Sequence, residues 1–99
     1  MDFQVIYTEP ALADVETILE WSNTNYPDTT PSFMEGLFAH IEHLRTFPYM
    51  GRQSKSRRNA RVMEHAPFRI YYQVKPRLRR VDILHVWHGR RRGPLGLNR

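Results

Sequence analysis

The 99-residue sequence predicts an α+β fold of order β-α-α-β-β-β, with a helical hairpin packed on one face of a small antiparallel sheet. Three observations lead there. Apolar residues recur at helical spacing through two stretches between Thr8 and Phe47. β-formers alternate with polar residues from Phe68 to Lys75, and a second β-rich run follows from Arg80. Between these blocks stand clusters of Pro, Gly, Asn and Asp, the residues that turn a chain.

Phe3-Gln4-Val5-Ile6-Tyr7 alternates as a first strand, with Phe3, Val5 and Tyr7 on one face. Thr8 is placed to cap a helix, with Pro10 in its first turn and Glu9 favourable to the helix dipole. Leu12, Val15, Ile18 or Leu19, and Trp21 or Ser22 form its apolar stripe, while Asp14, Glu16 and Glu20 fill the wet side. The run from Asn23 to Asp28 breaks that helix. Thr30 then caps a second one with Pro31 at its first position. Met34, Leu37, Ile41 and Leu44, widened by Phe33 and Phe38, form its stripe, and Pro48 stops it near Phe47. Two amphipathic helices joined by so short a connection pack as an antiparallel hairpin.

Residues 48–59 read as loop, and Arg61 to His65 as a short strand ended by Pro67. In the strand from Phe68 to Lys75, Phe68, Ile70, Tyr72 and Val74 point one way; Arg69, Tyr71, Gln73 and Lys75 point the other. Pro76 to Arg79 turns the chain into the last strand, Arg80 to His88, which ends at Gly89 and Arg90-Arg91-Arg92. The helices cover one face of the sheet and leave the Arg69–Lys75 face open. Residues 1–92 are expected to form one domain, with 93–99 a short C-terminal tail.

Composition excludes several classes of function. Without cysteine there is neither a disulfide nor a thiolate metal site. No apolar run reaches the ~18 residues of a membrane span, and the N-terminus lacks the features of a signal peptide. These features favour the cytoplasm. The net charge of +5 is split: residues 1–50 hold one basic and eight acidic side chains, and residues 51–99 fourteen basic and two acidic. A split of −7 against +12 points to a polyanionic partner rather than to solubility alone.

In order and spacing, several pieces resemble the RelE/ParE superfamily of toxins from type II toxin–antitoxin systems, nearer ParE. They are Ala13-Asp14 with Ile18, Phe47-Pro48-Tyr49-Met50-Gly51-Arg52, Arg61-Val62, Phe68 to Val74, and Val86-Trp87-His88-Gly89-Arg90-Arg91. The resemblance runs over roughly residues 3–92. It implies a growth-arresting, plasmid-stabilising toxin held inactive by a cognate antitoxin that wraps it. Members of the superfamily act on DNA gyrase (ParE-like) or cut mRNA on the ribosome (RelE-like). His88-Gly89-x-Arg91 is similar to the ParE ending, although Arg92 stands where that branch often has an acid. RelE-like nucleases usually depend on a C-terminal tyrosine, whereas the last tyrosine here is Tyr72. Arg69 and Arg91 fall where RelE-like toxins place phosphate-handling arginines.

Metal-independent RNA cleavage requires a base, an acid and cations for the charge that builds on phosphorus. His88, His85 or Glu64 are the candidates for proton transfer, and Arg61, Arg69 and Arg91 for charge. Against this, Glu64 pairs equally well with Arg61 or Arg69, and one histidine can simply fill the sheet interior. Target binding falls to Arg69, Tyr71, Lys75, Arg90, Arg91 and Arg92, with Tyr71 the better stacking residue and Trp87 placed in the core. The arginine triplet suits nucleic-acid phosphates, an acidic antitoxin segment or plain solvation. No cofactor or metal is expected: His85 and His88 face opposite sides of a regular strand, and His40 with His43 lack further ligands. Three readings stay open: ParE-like gyrase inhibition, a RelE-like ribosome-dependent endoribonuclease, and a non-toxic member that only binds a partner.

Overall fold

A computed structural model describes residues 2–89 of the chain. The elements run β1 (Gln4–Tyr7), α1 (Glu9–Asn25), α2 (Thr30–Glu42), β2 (Arg52–Gln53), β3 (Arg61–His65), β4 (Phe68–Lys75) and β5 (Arg80–His88). The expected element order is present, and two details differ from it. The sheet is mixed, ordered β1-β5-β4-β3-β2, with β1 parallel to β5 and the other pairs antiparallel. Parallel pairing cannot be closed by a tight turn; here the two helices carry the chain from β1 at one edge to β2 at the other, and the antiparallel strands return it to β5. Arg52 and Gln53, expected in a loop, pair with Val62 and Arg61 as a two-residue edge strand.

Thr8 caps α1 as expected, its side chain accepting from the Ala11 N–H. The buried stripe, however, is Ala11, Asp14, Val15, Ile18 and Ser22. Leu12, expected inside, is 50 % exposed, and Asp14, expected in water, is only 5 % exposed. Helical spacing is preserved but the helix is rotated, because Asp14 has donors waiting for it, described below. At α2 the cap is Thr29, and Thr30 is already helical. The Thr30 hydroxyl lies 2.6 Å from Ser22 Oγ and donates to the Tyr26 carbonyl at 2.9 Å, tying the two helices together where they meet.

Met34, Leu37, Ile41 and Leu44 bury as expected, against Phe68, Ile70 and Tyr72 of β4 and Val81, Ile83 and Val86 of β5. Phe3, Val5, Tyr7 and Phe33 pack at the margin of this core. After α2 a 3-10 turn, His43–Arg45, carries the chain towards Pro48. The following turn is held from the sheet. Gly51 N–H donates to Tyr72 Oη at 2.8 Å, and Arg61 Nη1 donates to the Gly51 carbonyl at 2.7 Å. Burial pushes the Tyr72 hydroxyl up from its ordinary value, so it stays protonated here.

Only glycine fits this approach. A Cβ at position 51 would lie 2.7 Å from Tyr72 Oη and 2.8 Å from the Val62 carbonyl oxygen. Gly51→Ala is therefore expected to lower stability by about 1–3 kcal/mol in urea titrations. Wild-type stability in that variant would show that the turn is not packed this tightly.

Candidate functional site on the open face of the sheet

The face away from the helices is built from β4 and β5. Arg69, Tyr71, Gln73 and Lys75 lie opposite Trp87, His85, Asp82 and Arg80 in register. The pairing has one irregularity: Tyr72 faces Ile83 while its neighbour Tyr71 faces His85, so Leu84 is the extra residue of a β-bulge. Regular alternation from Val81 and Ile83 would send His85 and Trp87 towards the helices and His88 to the open face. The bulge reverses the phase.

Two expectations change as a result. Trp87, expected in the core, lies on the open face, its ring 5.5 Å from Tyr71 and 4.1 Å from His85. His88, expected at the open site, lies opposite Phe68 on the helix side, with ring centroids 5.8 Å apart. A strand read from sequence shows no such inserted residue, because Leu84 is as good a β-former as its neighbours.

β1 stops beside Ile83, and beyond that point no described strand flanks this edge of β5. Side chains take its place. Thr8 donates to the Ile83 carbonyl through its N–H at 3.1 Å and its hydroxyl at 2.7 Å. Asp14 Oδ2 then accepts from the Val86 N–H and from His85 Nδ1, each at 3.0 Å. A carboxylate only accepts, so the His85 proton sits on Nδ1 and Nε2 is the nitrogen left for exchange. This Asp14–His85 pair was not legible as a pair in the sequence, since 71 positions separate its members.

The charged candidates divide between the two faces. Arg69 Nε lies 3.1 Å from Glu64, which also meets Arg52 at 3.3 Å. Glu64, and then a hydrogen bond with the Tyr71 side chain, raises the Arg69 guanidinium above its already high ordinary value. Asp82 is matched by Arg80 at 2.7 Å and by Lys75 at 3.9 Å. Arg61 is elsewhere: it registers with Tyr72, holds the Gly51 carbonyl and lies 5.0 Å over the Tyr49 ring. The structure therefore brings Arg69, Glu64, Tyr71 and Lys75 to the open face and separates Arg61 and His88 from them. Arg90, Arg91 and Arg92 lie outside the described residues.

A second polar cluster joins α2 to β3. His40 and His43 were expected on a solvated helix face, but His65 of β3 comes within 2.9 Å of His40, Nδ1 to Nδ1. One ring donates and the other accepts, so this contact holds only one proton. Burial, then His65 and His43, lower the His40 pKa from its ordinary 6.5. Among the described residues no group of three His, Asp or Glu could hold a metal ion, and no described helix is long and apolar enough to cross a membrane.

Against protein-family models, residues 5–93 match the ParE toxin of the type II toxin–antitoxin system parDE. No curated protein matches the chain. Among solved structures, the chain is similar to one from the chromosomal ParDE toxin–antitoxin system of P. aeruginosa. That match has a TM-score of 0.75 and 20 % identity, covering 87 % of this chain and 95 % of that one. It is also similar to a chain of the toxin–antitoxin complex RelBE2 from Mycobacterium tuberculosis. There the TM-score is 0.61 and identity 20 %, covering 89 % of this chain and 99 % of that one. At such identity these two likenesses establish the fold.

Asp14→Ala is expected to cost about 2–4 kcal/mol, because it strands a buried N–H and the His85 ring together. Asp14→Asn keeps an acceptor and is expected to recover about half of that loss; equal damage from both would mean that helix packing alone is being measured. The histidine contact has a pH signature. The folded-state pKa of His40 lies below its unfolded value, so its contribution is present above about pH 6.5 and is lost as pH falls through the folded value. Urea midpoints should therefore drop between pH 7.5 and 5.5, with a smaller drop in His40→Gln. An identical slope in the two proteins would remove this contact as the cause.

Proposed function

Because the chain belongs to the ParE toxin family of type II toxin–antitoxin systems, we propose that it arrests growth by binding DNA gyrase in the cytoplasm and that a cognate antitoxin holds it inactive. The family match over residues 5–93 carries this reading. The geometry supports binding without chemistry. Of the residues considered for RNA cleavage, Glu64 is matched by two arginines, Arg61 supports the Gly51 turn, and His88 packs on Phe68. What remains on the open face is a rigid surface of Arg69, Tyr71, Trp87 and Lys75, suited to recognition. Arg90, Arg91 and Arg92 would extend its charge.

One observation favours the ribonuclease as a second reading. His85 is oriented by Asp14 on the same face as Arg69 and Tyr71, so a ring able to exchange a proton shares a surface with a phosphate-binding cation. In that reading His85, rather than His88, transfers the proton, and Arg69 and Arg91 hold phosphate.

Expression without antitoxin separates the two. Gyrase binding is expected to give growth arrest with a DNA-damage response, and the purified protein is expected to block supercoiling. Arg69→Glu should raise the inhibitory concentration at least about tenfold, while His85→Ala and His88→Ala still arrest growth. Codon-phased mRNA cuts that disappear in His85→Ala would instead establish the ribonuclease. Normal growth on expression of wild-type protein would sink both readings and leave a non-toxic partner-binding member.

A further inference from the structure

The end of α2 leads into a feature that neither reading uses. Phe47, Tyr49 and Met50 are 62 %, 53 % and 46 % exposed, three large apolar side chains within four positions. With Thr46 and Pro48 they line a shallow hollow of about 600 Å³. Contiguous apolar surface of this kind marks an interaction site far more often than scattered exposed leucines do.

The turn is also held rigidly. Phe47 N–H donates to the His43 carbonyl at 2.9 Å, and Met50 N–H to the Phe47 carbonyl at 3.2 Å. Its far end is fixed by Gly51 on Tyr72, and the Tyr49 ring by the Arg61 guanidinium 5.0 Å above it. A turn whose backbone and Tyr49 ring are already held loses less entropy on binding than a loose one, so exposed apolar area there converts more efficiently into affinity. Phe, Tyr, Met and Arg are also the residue types enriched at interface centres.

Charge says what kind of partner fits. Tyr49 also borders a second hollow of about 400 Å³, lined by Gln53, Ser54, Asn59 and Arg61. Lys55, Arg57 and Arg58 lie in the same 54–59 loop, which contains no acidic residue. The apolar hollow thus shares Tyr49 with a polar one that holds Arg61 and is bordered by the two ends, Ser54 and Asn59, of the cationic loop. A segment with an apolar side chain for the first and a carboxylate for the second matches both.

We propose that the Phe47–Met50 turn and its cationic rim are the docking site for an acidic amphipathic segment of the cognate antitoxin. The assignment rests on the reading of this chain as an antitoxin-bound toxin, and it locates the contact away from the open sheet face. Neutralisation can then proceed by a grip that leaves Arg69 and Tyr71 to be covered by another part of the same partner.

The test uses the full chain with its cognate antitoxin, comparing wild type with Phe47→Ser/Met50→Ser and, separately, Arg57→Glu/Arg58→Glu. All four positions are at least partly exposed, so melting temperatures should stay near wild type. The apolar double variant is expected to weaken antitoxin binding at least about thirtyfold, and the charge variant about tenfold with a shallower dependence on salt. Both variants should still arrest growth and resist rescue by co-expressed antitoxin. Binding within about threefold of wild type in both would overturn the assignment. Loss of toxicity with antitoxin binding intact would also overturn it, placing the turn on the target instead. Wild-type protein that binds antitoxin but does not arrest growth would count against the gyrase reading alone, since the affinities decide the docking site independently.

Discussion

The fold depends on how β5 completes its hydrogen bonds after β1 runs out. β1 is four residues long and β5 is nine, so among the described residues part of the edge of β5 has no neighbouring strand. A buried N–H without an acceptor costs about 1–3 kcal/mol. Thr8 and Asp14 take over where β1 stops. Because both belong to the start of α1, the same contacts fix the rotation of that helix over the sheet. Leu12 is turned outward and Ala11, Val15 and Ile18 inward, so the composition of the core follows from a polar contact at its margin.

The bulge at Leu84 belongs to the same arrangement. It places the Val86 N–H and His85 Nδ1 together, within reach of one carboxylate oxygen. It also exchanges the faces of everything that follows, giving Trp87 and His85 to the open side and Val86 and His88 to the helices. The aromatic group on the open face is therefore a consequence of strand geometry and not of alternation. His85 is the most constrained side chain of this face, its ring oriented by Asp14 and lying 4.1 Å from the Trp87 ring.

The two faces of the domain have different characters. The open face is cationic but internally matched, with Glu64 and Asp82 each set between two basic side chains. Such exposed pairs contribute little to stability. They do hold Arg69 and Arg80 in defined positions, which favours recognition over loose attraction. At the far end of α2 the surface is apolar and rigid, with cations only at its rim.

The sequence by itself determined the element order, the helical stripe of Met34 to Leu44 and the alternation of β4, because periodicity reports which side of an element is buried. The resemblance carried in pieces such as Phe47 to Arg52 and Val86 to Arg91 pointed to the family for the same reason: it is local and ordered along the chain. What only the tertiary structure decided involves partners far apart in sequence. The burial of Asp14, the phase reversal at Leu84, the pairing of His40 with His65 and the support of Gly51 by Tyr72 and Arg61 each depend on two distant elements arriving together. An acidic residue on a helix reads as solvated until a strand edge lacking a neighbour is placed against it, and a histidine on a strand has a face only once the strand's bulge is known.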